Sequence, residues 1–600
     1  MVLDYARRLR ALLDAGLTNF FWQPTSNTTV ALLLERRAAS QPDAPFLWFE
    51  GREHSIGAVN RAVNEHAHAY AALGLSRGDV VALAMGNRPE YLFHFYGLAK
   101  LGVVAALLNP NLEGRALAHA VESCSPRHVV VDDERLPRFG ALRRALGESC
   151  PWRLWRDDDE PDSDSDTLAR ELATDFSAAL EGQPHHDPPS TAELTLDDVK
   201  AYIFTSGTTG LPKAAVVKHH RFLRAGRIMG GITGTTPSDC VYVCLPLYHG
   251  NGNIIGTSMA ITQGARLALA RRFSASRFFD DCRRSGATVA VYIGELCRYL
   301  YNQPPSNADR AHAVRVMLGN GLRADIWEPF RQRFGIERIV EFYAATEGNA
   351  ETANVLGTPG SCGVLLPGKM ALARYDIERD ELVRDAKGFC KRAAAGEPGL
   401  LLGAIEGKNE YSGYKSERAT RAKVLSDVFK RGDRWFNSGD LLKRDRLMRL
   451  YFVDRLGDTF RWKGENVSTQ EVGEQLATHP DVLDCTVYGV AVAGTEGRCG
   501  MCALTLRDGG RLGSADALDG AALFAHVSAL PAYARPRFVR VVSEVTTTVT
   551  FKHRKRELAE EGFDPSRVEE PLYVLDAQGR RYVRLGEAVY ADVVAGRWPI

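Results

Sequence analysis

The chain contains the run Ala201-Tyr202-Ile203-Phe204-Thr205-Ser206-Gly207-Thr208-Thr209-Gly210-Leu211-Pro212-Lys213, in which an apolar strand pattern leads into a polar, glycine-rich loop. Glycines allow the backbone to approach an anion closely, hydroxyl and N–H groups donate to phosphate oxygens, and the lysine adds positive charge. The GxxxxGK[ST] spacing of a Walker A loop is absent from this run. An ordinary polar turn explains so many small donors poorly, and we interpret residues 205–213 as a phosphate-binding loop.

Strand and helix patterns alternate on the N-terminal side of this loop. Residues 80–85 predict a buried strand, residues 88–101 a helix, and residues 103–108 and 129–131 two further strands. This alternation predicts an α/β fold, with parallel-rich sheets and helices on their faces. Because 600 residues exceed what one hydrophobic core usually organises, we expect at least two domains.

The pattern changes after residue 453. The short, charged stretch Asp454-Arg455-Leu456-Gly457-Asp458 precedes a new set of strand patterns at 485–490, 501–506 and 538–542. We therefore predict a large N-terminal domain over residues 1–453, a hinge at 454–458 and a smaller α+β domain over 459–600.

Composition excludes some classes of protein. The formal net charge of +1 gives no basic signature for a nucleic-acid partner. Eleven cysteines are an odd number without the spacing of a small disulfide framework, which favours a reducing cytoplasm. No second CxxC or paired histidines accompany the CxxC of Cys499 and Cys502, so we interpret these two cysteines as structural. Residues 157–166 hold seven acidic side chains without periodicity and predict a solvated loop.

Two stretches bear on membrane contact. Residues 1–22 carry apolar side chains at helical spacing among charged ones, which fits a helix packed on its own domain and also a basic amphipathic helix on a membrane surface. We favour the packed helix. Residues 241–265 are mostly apolar, but Pro246 and Gly250-Asn251-Gly252-Asn253 argue against a bilayer span.

Further short motifs follow the phosphate-binding loop in the order Leu245-Pro246-Leu247-Tyr248-His249, Gly319-Asn320-Gly321, Tyr343-Ala344-Ala345-Thr346-Glu347-Gly348, Asn437-Ser438-Gly439-Asp440, Asp454-Arg455 and Thr550-Phe551-Lys552. Together with residues 205–213, this ordered set closely resembles the signatures of the adenylate-forming superfamily, which includes acyl-CoA synthetases, luciferases and adenylation domains. The resemblance covers nearly the whole chain, and the ordered set is far more specific than any single motif.

The resemblance implies that a carboxylate attacks the α-phosphate of ATP and that the resulting acyl-adenylate passes to coenzyme A. The loop containing Thr205, Ser206, Gly207, Thr208, Thr209, Gly210 and Lys213 would hold the polyphosphate. Gly319, Asn320 and Gly321 would line the adenine, on which Tyr343 would stack. His249 would lie at the edge of the acyl pocket.

The resemblance also assigns roles to charged residues. Thr346 would donate to the α-phosphate and Glu347 would hold Mg²⁺, a cation that prefers oxygen ligands. Asp440 would accept hydrogen bonds from the ribose hydroxyls, and Arg455 would contact the ribose or a phosphate. Lys552 would stabilise the charge that develops in the transition state. The smaller domain is expected to be mobile and to rotate between the two half-reactions.

Each of these residues has an ordinary explanation when it is taken singly. Tyr343 would fit a packed core, Glu347 an exposed surface, and Asp440 a helix or turn cap. Lys552 begins a basic run, residues 552–556, of a kind that is usually a solvated face. A lone histidine beside glycines, such as His249, is often only a pocket wall.

Several runs resemble the fatty-acid transport protein and very-long-chain acyl-CoA synthetase branch: residues 454–467, Leu318-Gly319-Asn320-Gly321-Leu322-Arg323 and the tail 561–600. That branch implies a long or very long fatty acid as substrate. Three departures are visible: many animal members have an N-terminal membrane span, which we do not find here, Asn253 stands where some long-chain synthetases have an aromatic gate, and the lysine motif reads Thr-Phe-Lys.

Three alternatives stay open. The first is an adenylating ligase with another acyl acceptor, such as a carrier protein, and the second is a luciferase. The third is a fatty-acid binding or uptake protein with little or no catalysis, against which Glu347, Asp440 and Lys552 argue. We expect a cytoplasmic protein, with peripheral contact to the inner face of a membrane as an open question.

Overall fold

The computed structural model of the chain describes residues 25–157, 171–206, 211–376, 379, 381–407, 409, 411–456, 458–462, 465–492, 495, 497–507, 518–545 and 555–600. These residues form two compact units. Unit 1 contains the described residues up to Leu322 together with Ile326–Thr358 and Glu406–Val424. Unit 2 contains Arg323–Asp325, Pro359–Ile405 and the described residues from Leu425 to Ile600.

Unit 1 is built on two sheets. Its strands are β1 (Pro45–Phe49), β2 (Arg52–Ser55), β3 (Val80–Ala84), β4 (Val104–Leu107), β5 (His128–Val131), β6 (Arg153–Arg156), β7 (Ala173–Asp175), β8 (Val199–Ser206), β9 (Pro212–Lys218), β10 (Cys240–Val243), β11 (Arg266–Leu269), β12 (Val289–Ile293), β13 (Val316–Asn320), β14 (Arg338–Tyr343) and β15 (Thr352–Ala353). One sheet has the order β15-β14-β13-β12-β10-β11-β1-β2, and the other the order β7-β6-β5-β3-β4-β8-β9. Both are parallel except at β2, β9 and β15.

The helices of this part of the chain are α1 (Val30–Ser40), α2 (Ile56–Ala72), α3 (Pro89–Leu101), α4 (Gly114–Cys124), α5 (Leu136–Leu146), α6 (Ser177–Leu180), α7 (Ser190–Glu193), α8 (His219–Thr233), α9 (Ser258–Gln263), α10 (Phe278–Ser285), α11 (Gly294–Tyr301), α12 (Ala324–Phe334) and α13 (Glu417–Arg421). A π-helical turn spans Asn251–Thr257, and 3₁₀ turns span Gly147–Ser149 and Asn307–Arg310.

Local sequence explains where these elements begin and end. Strand β3 is buried along its whole length, as expected of an apolar strand covered on both faces of a parallel sheet. Helix α3 begins at Pro89, whose missing N–H costs nothing in the first turn, and ends at Gly102, whose φ of 70° closes the helix in the left-handed region. The expected strands at 80–85, 103–108 and 129–131, and the helix at 88–101, are confirmed within two residues.

Unit 2 contains strands β16 (Gly363–Val364), β17 (Met370–Asp376), β18 (Glu381–Leu382), β19 (Gly399–Ala404), β20 (Val424–Ser426), β21 (Arg434–Arg444), β22 (Arg449–Arg455), β23 (Phe460–Trp462), β24 (Glu465–Val467), β25 (Val482–Val490), β26 (Cys499–Leu506), β27 (Phe538–Val541), β28 (Leu572–Asp576) and β29 (Arg581–Arg584), with helices α14 (Thr469–Ala477), α15 (Gly520–Val527), α16 (Lys555–Glu561) and α17 (Glu587–Val594). Strands β16–β22 form an antiparallel sheet that the sequence analysis did not anticipate. Strands β25–β29 form a mixed sheet, which confirms the strands expected at 485–490, 501–506 and 538–542.

Asp157 corrects one expectation. The sequence placed it in a solvated acidic loop, but its carboxylate is buried and accepts a hydrogen bond from His94 Nε2 at 2.8 Å. The reason is that the Asp157 N–H bonds to Val131 O at 2.9 Å, which extends the β5–β6 pairing by one residue into the core. Residues 158–166 lie outside the described residues.

Other expectations have mixed outcomes. Cys499 and Cys502 are buried free thiols on β26, which agrees with a structural role. Within the described ranges, no helix combines the length and apolar character needed to cross a bilayer. The predicted N-terminal helix at 1–22 lies outside those ranges, as does Gly457 of the predicted hinge. The boundary at residue 453 and the hinge stay predictions.

Candidate active site

Three of the predicted motifs lie in unit 1 at the same edge of one parallel sheet. Strand β10 leads into residues 245–249, β13 ends within residues 319–321, and β14 ends at Tyr343, the first residue of 343–347. The register pairs Gly319 of β13 with Glu341 of β14, so these two strands end side by side. Because the carboxyl ends of parallel strands meet at one edge, segments far apart in sequence are brought together there.

One hydrogen bond and one close approach connect these three segments. The Asn251 side-chain amide donates to Asn320 Oδ1 at 2.8 Å, which links the turn after His249 to the 319–321 loop. A Cβ added to Gly250 would lie 3.6 Å from Thr346 Oγ1, so this turn also approaches the 343–347 segment. The structure therefore assembles the regions predicted to hold the adenine, the α-phosphate and the edge of the acyl pocket.

Glycine is required in the 319–321 loop for two different reasons. A Cβ on Gly319 would lie 2.2 Å from Tyr292 O, so no larger residue fits between β12 and β13. Gly321 has φ +84°, a conformation that glycine adopts without strain. The main chain of this loop therefore carries no side chain at Gly319 or Gly321, and a flat ring can pack directly against it.

Glu341 is a buried carboxylate beneath this loop that the sequence analysis missed. It accepts hydrogen bonds from Tyr292 Oη at 2.8 Å and from Leu322 N at 2.7 Å. Burial raises its pKa to about 7, against the lowering effect of these hydrogen bonds. The available signal was a carboxylate in the interior of a strand, Arg338–Tyr343, whose residues on either side of Glu341 are apolar or aromatic.

The turn that carries Thr346 and Glu347 is held by Arg221, another residue that the sequence analysis missed. The carbonyl of Ala345 accepts from Gly348 N at 3.0 Å, which closes the turn, and from Arg221 Nη2 at 2.6 Å. Arg221 also lies 3.0 Å from the Glu351 carboxylate. Helix α8 thus fixes the backbone on the N-terminal side of Thr346.

The predicted phosphate-binding loop lies between β8 and β9. Thr205 pairs with Lys213, and Ser206 with Pro212, so the antiparallel pairing brings the two ends of the loop together. Gly207, Thr208, Thr209 and Gly210 lie outside the described residues. The hairpin is extended by a bridge from Ala215 to Tyr414.

Tyr414 and Tyr411 place two hydroxyl-bearing rings near Glu347. Burial is the main cause that raises the pKa of each phenol, and the negative charge of Glu347 contributes to both. Tyr414 is also 5.9 Å from Lys213 Nζ, measured to the ring centroid. These contacts connect Glu347 with the second end of the phosphate-binding loop.

His249 and Asn253 lie on the turn that follows β10. The His249 ring packs against Tyr248 with a centroid distance of 4.3 Å and is partly exposed. Asn253 is fully buried, and its amide donates to Leu247 O at 2.9 Å. A side chain held in this way stabilises its own turn, which fits the absence of an aromatic gate at this position.

Asp440 and Arg455 belong to unit 2, where they are opposite each other on β21 and β22. Arg455 Nε lies 3.4 Å from Asp440 Oδ1, with the arginine half exposed and the aspartate nearly buried. The neighbouring Asp454 is buried and accepts from Thr469 N at 2.8 Å at the start of α14, so the predicted hinge begins at an anchored residue. Lys552 lies outside the described residues.

Comparison with protein families agrees with this arrangement. Residues 34–414 match the model of an AMP-binding enzyme, and residues 471–552 match that of its C-terminal domain. The chain belongs to the AMP-binding enzyme family. The first match includes the unit 1 candidates from Thr205 to Glu347, and the second ends at Lys552.

Named relatives of this AMP-binding enzyme are similar over nearly its whole length. The medium/long-chain-fatty-acid–CoA ligase FadD6 of Mycobacterium tuberculosis is 39% identical over 100% of this chain and 98% of its own. Long-chain fatty acid transport protein 6 of Mus musculus is 40% identical over 92% of this chain and 88% of its own. Long-chain fatty acid transport protein 2 of Rattus norvegicus is 41% identical over 94% and 90%.

Solved structures share the fold at low sequence identity. The anthranilate CoA ligase AuaEII in complex with anthranoyl-AMP has a TM-score of 0.74 at 21% identity, covering 90% of this chain and 98% of its own. ATP-bound MatB from Rhodopseudomonas palustris has a TM-score of 0.72 at 21% identity, covering 88% and 98%. The α/β fold expected from the sequence is therefore confirmed.

The residues of this AMP-binding enzyme fit a magnesium–nucleotide ligand. Glu347 offers carboxylate oxygens, the ligand type that Mg²⁺ prefers, with the hydroxyls of Tyr411 and Tyr414 nearby. Lys213, at the end of the phosphate-binding loop, adds a positive charge close to the same tyrosine. One carboxylate beside a phosphate-binding lysine suits Mg²⁺ that takes its other ligands from phosphate and water.

Proposed function

We propose that the chain is an AMP-forming fatty acid:CoA ligase that acts on long-chain or very-long-chain acids. One observation carries the proposal: three motif segments meet at one edge of a parallel sheet, where Asn251 donates to Asn320 and the Gly250 backbone passes close to Thr346. The substrate class is supported by relatives about 40% identical that are named long-chain fatty-acid–CoA ligase or long-chain fatty acid transport protein.

The reaction has two steps. In the first, a carboxylate oxygen of the fatty acid bonds to the α-phosphorus of ATP, the bond to the β-phosphate bridge breaks, and pyrophosphate leaves. In the second, the thiol of coenzyme A loses its proton and attacks the acyl carbonyl, and AMP leaves as the thioester forms. No covalent enzyme intermediate is needed, so the protein acts by positioning and by charge stabilisation.

Unit 1 residues bind and orient the nucleotide. Tyr343 stacks on the adenine against the Gly319–Gly321 loop, Thr346 donates to the α-phosphate, and Lys213 neutralises polyphosphate charge. Glu347 would hold Mg²⁺, which would shield the phosphate charge that repels the incoming carboxylate. His249 forms part of the wall beside the reacting carboxylate.

The other proposed residues follow in the sequence after unit 1. Asp440 accepts from the ribose hydroxyls, and Arg455 contacts the ribose or a phosphate. Lys552 stabilises the charge that develops during adenylation. We further propose that residues 454–458 act as a hinge between domains at 1–453 and 459–600, and that coenzyme A enters for the second half-reaction.

A fatty-acid uptake protein without catalysis is the second candidate, because several relatives carry the name long-chain fatty acid transport protein. The two candidates differ in whether acyl-AMP forms at all. The proposed setting is the cytoplasm, with peripheral contact to the inner face of a membrane, where long-chain acids concentrate.

The test is a panel of acids from short to very long chains, plus a bile acid, incubated with ATP, Mg²⁺ and coenzyme A. We expect AMP, pyrophosphate and acyl-CoA, with the highest kcat/KM for long chains. Glu347→Gln should abolish most turnover, whereas Glu337→Gln, a matched change at an exposed glutamate, should not. ADP as the product, or fatty-acid binding without any acyl-AMP, would contradict the proposal.

A further inference from the structure

Two leucines in unit 2 are exposed on neighbouring turns. Leu447 is 72% exposed and Leu366 is 41% exposed, whereas leucines are usually buried. Leu447 lies in the turn between β21 and β22, and Leu366 in the turn between β16 and β17. We call the surface formed by residues 365–369 and 443–449 the tip surface.

Backbone pairing places the two turns side by side. Val364 pairs with Arg449 in the β16–β22 ladder, and Leu365 N donates to Met448 O at 2.8 Å. Leu366 directly follows Leu365, and Leu447 directly precedes Met448. The exposed leucines are therefore part of one surface.

The turn that carries Leu447 is held in a defined shape. Asp445 Oδ1 accepts from Leu447 N and Arg449 N, both at 2.9 Å, and Asp445 Oδ2 accepts from Arg449 Nε at 2.6 Å. Met448 adopts φ +65°, a left-handed conformation that reverses the chain. The turn thus presents Leu447 to solvent on a rigid support.

Positive charge surrounds the leucines. Residues 443–449 hold four cations, Lys443, Arg444, Arg446 and Arg449, against one carboxylate, Asp445, which is already occupied by Arg449. Lys369 adds a fifth, exposed cation on the other turn. A cavity of about 280 Å³ beside the turns is lined by Arg392 and Arg444 together with Leu365, Pro367, Met370 and Met448.

We propose that the tip surface docks on an anionic lipid bilayer, with Leu366 and Leu447 entering the headgroup boundary and the cations facing lipid phosphates. One exposed leucine on each of two neighbouring turns, with cations around them, suits a bilayer, since apolar burial and attraction to anionic lipid add together. Protein interfaces instead favour an apolar core enriched in aromatic side chains, which the two turns lack. The inference rests on the proposed function, because a long-chain acid is available mainly in membranes.

The test is sedimentation of the full chain with phosphatidylcholine vesicles that contain or lack phosphatidylglycerol. Leu366→Ser/Leu447→Ser should weaken binding by roughly tenfold, as expected for about one buried leucine side chain in total. Lys443→Gln/Arg446→Gln should weaken binding to anionic vesicles by roughly tenfold or more and reduce its salt dependence, since each cation near an anionic surface contributes about fivefold.

Matched controls use residues outside the tip surface. Leu146→Ser/Leu356→Ser changes two leucines that are 42% and 58% exposed in unit 1, and Lys430→Gln/Arg431→Gln changes two exposed cations on another turn of unit 2. Neither control should alter binding. If the controls weaken binding as much as the tip variants, or if wild type does not sediment with anionic vesicles, the inference is overturned.

Ligase activity separates this inference from the proposed function. With a detergent-dispersed long-chain acid and no vesicles, both tip variants should form acyl-CoA at the wild-type rate. Loss of that activity would show that the tip surface has a structural or catalytic role instead and would overturn the docking inference. Absence of acyl-CoA from the wild type would contradict the proposed function, whatever the vesicle result.

Discussion

The clamp that Arg221 forms on the turn of Thr346 and Glu347 gives the sharpest prediction. One guanidinium nitrogen of Arg221 donates to Ala345 O at 2.6 Å and lies 3.0 Å from Glu351. Ala345 directly precedes Thr346, so movement of this carbonyl moves the proposed α-phosphate donor with it. Arg221→Met keeps much of the side-chain volume but removes both contacts.

The structure sets the expected loss of stability and the expected loss of adenylation rate in Arg221→Met. Glu351 keeps Arg224 as a partner, so the loss of stability should be about 1.5–3 kcal/mol, the range of a hydrogen bond to a charged group, and not the full cost of an orphaned charge. Burial raises the pKa of Glu351, but the positive charges of Arg224, Arg221 and His220 outweigh burial, so this pKa lies below its usual value. A displacement of about 1 Å at Thr346 is expected to slow adenylation by roughly 10²-fold.

The assay compares acyl-AMP formation in a single turnover with the thermal stability of the same variant. Arg224→Met is the matched control, because Arg224 pairs with Glu351 through a side-chain contact, whereas the Ala345 carbonyl accepts from Arg221. It should lose similar stability while keeping most of its adenylation rate. Equal losses of rate in both variants, or a normal rate in folded Arg221→Met, would refute a positioning role for Arg221.

Four further predictions follow from named contacts or roles. Lys552→Ala should slow acyl-AMP formation by roughly 10²–10³-fold and spare thioester formation from added acyl-AMP, as measured separately for the two half-reactions. Asp440→Ala should raise the KM for ATP in steady-state assays, and unchanged nucleotide affinity would remove Asp440 from the site. Lys100→Met should destabilise unit 1 by about 3–5 kcal/mol in chemical denaturation, since it leaves the buried Glu35 carboxylate without its cation. Because the folded-state pKa of Glu341 is raised from 4.5 to about 7, wild type should lose stability as the pH rises across this interval, and Glu341→Gln should flatten that loss in thermal unfolding.

The sequence predicted strands β3, β4 and β5 of one parallel sheet because these strands are almost continuous apolar runs. Strand β3 is apolar throughout, and β5 is apolar after its first residue, so burial on both faces leaves a pattern that can be read directly. The antiparallel sheet of unit 2 escaped notice because its strand β21 mixes Arg434, Asn437 and Lys443 with apolar residues. Such a strand has the composition of a loop until its partners are known.

The candidate site was predictable only where its residues form short contiguous motifs. Residues 319–321 and 343–347 were found in this way, and the structure places them on adjacent strands. Arg221 and Tyr414 were missed because each acts through a partner more than sixty residues away, at Ala345 and Glu347 respectively. Nothing in the local sequence distinguishes such a residue from an ordinary surface arginine or core tyrosine.

Buried charge in unit 1 separates structural residues from candidate functional ones. Lys100 is fully buried, but its Nζ lies within 2.9 Å of oxygens of Asn60, Asn64, Asp187 and Glu35, so opposite charge and acceptors compensate it.

Glu341 has a different environment. The donors that it accepts from, a tyrosine hydroxyl and a backbone N–H, are neutral, and burial outweighs them. Its protonation therefore stays responsive near neutral pH, directly beneath the loop proposed to hold the adenine. A group with a strongly shifted pKa at a site is a candidate for a functional role, and Glu341 is such a group. Lys100, whose charge is compensated by its partners, has instead the features of a structural residue.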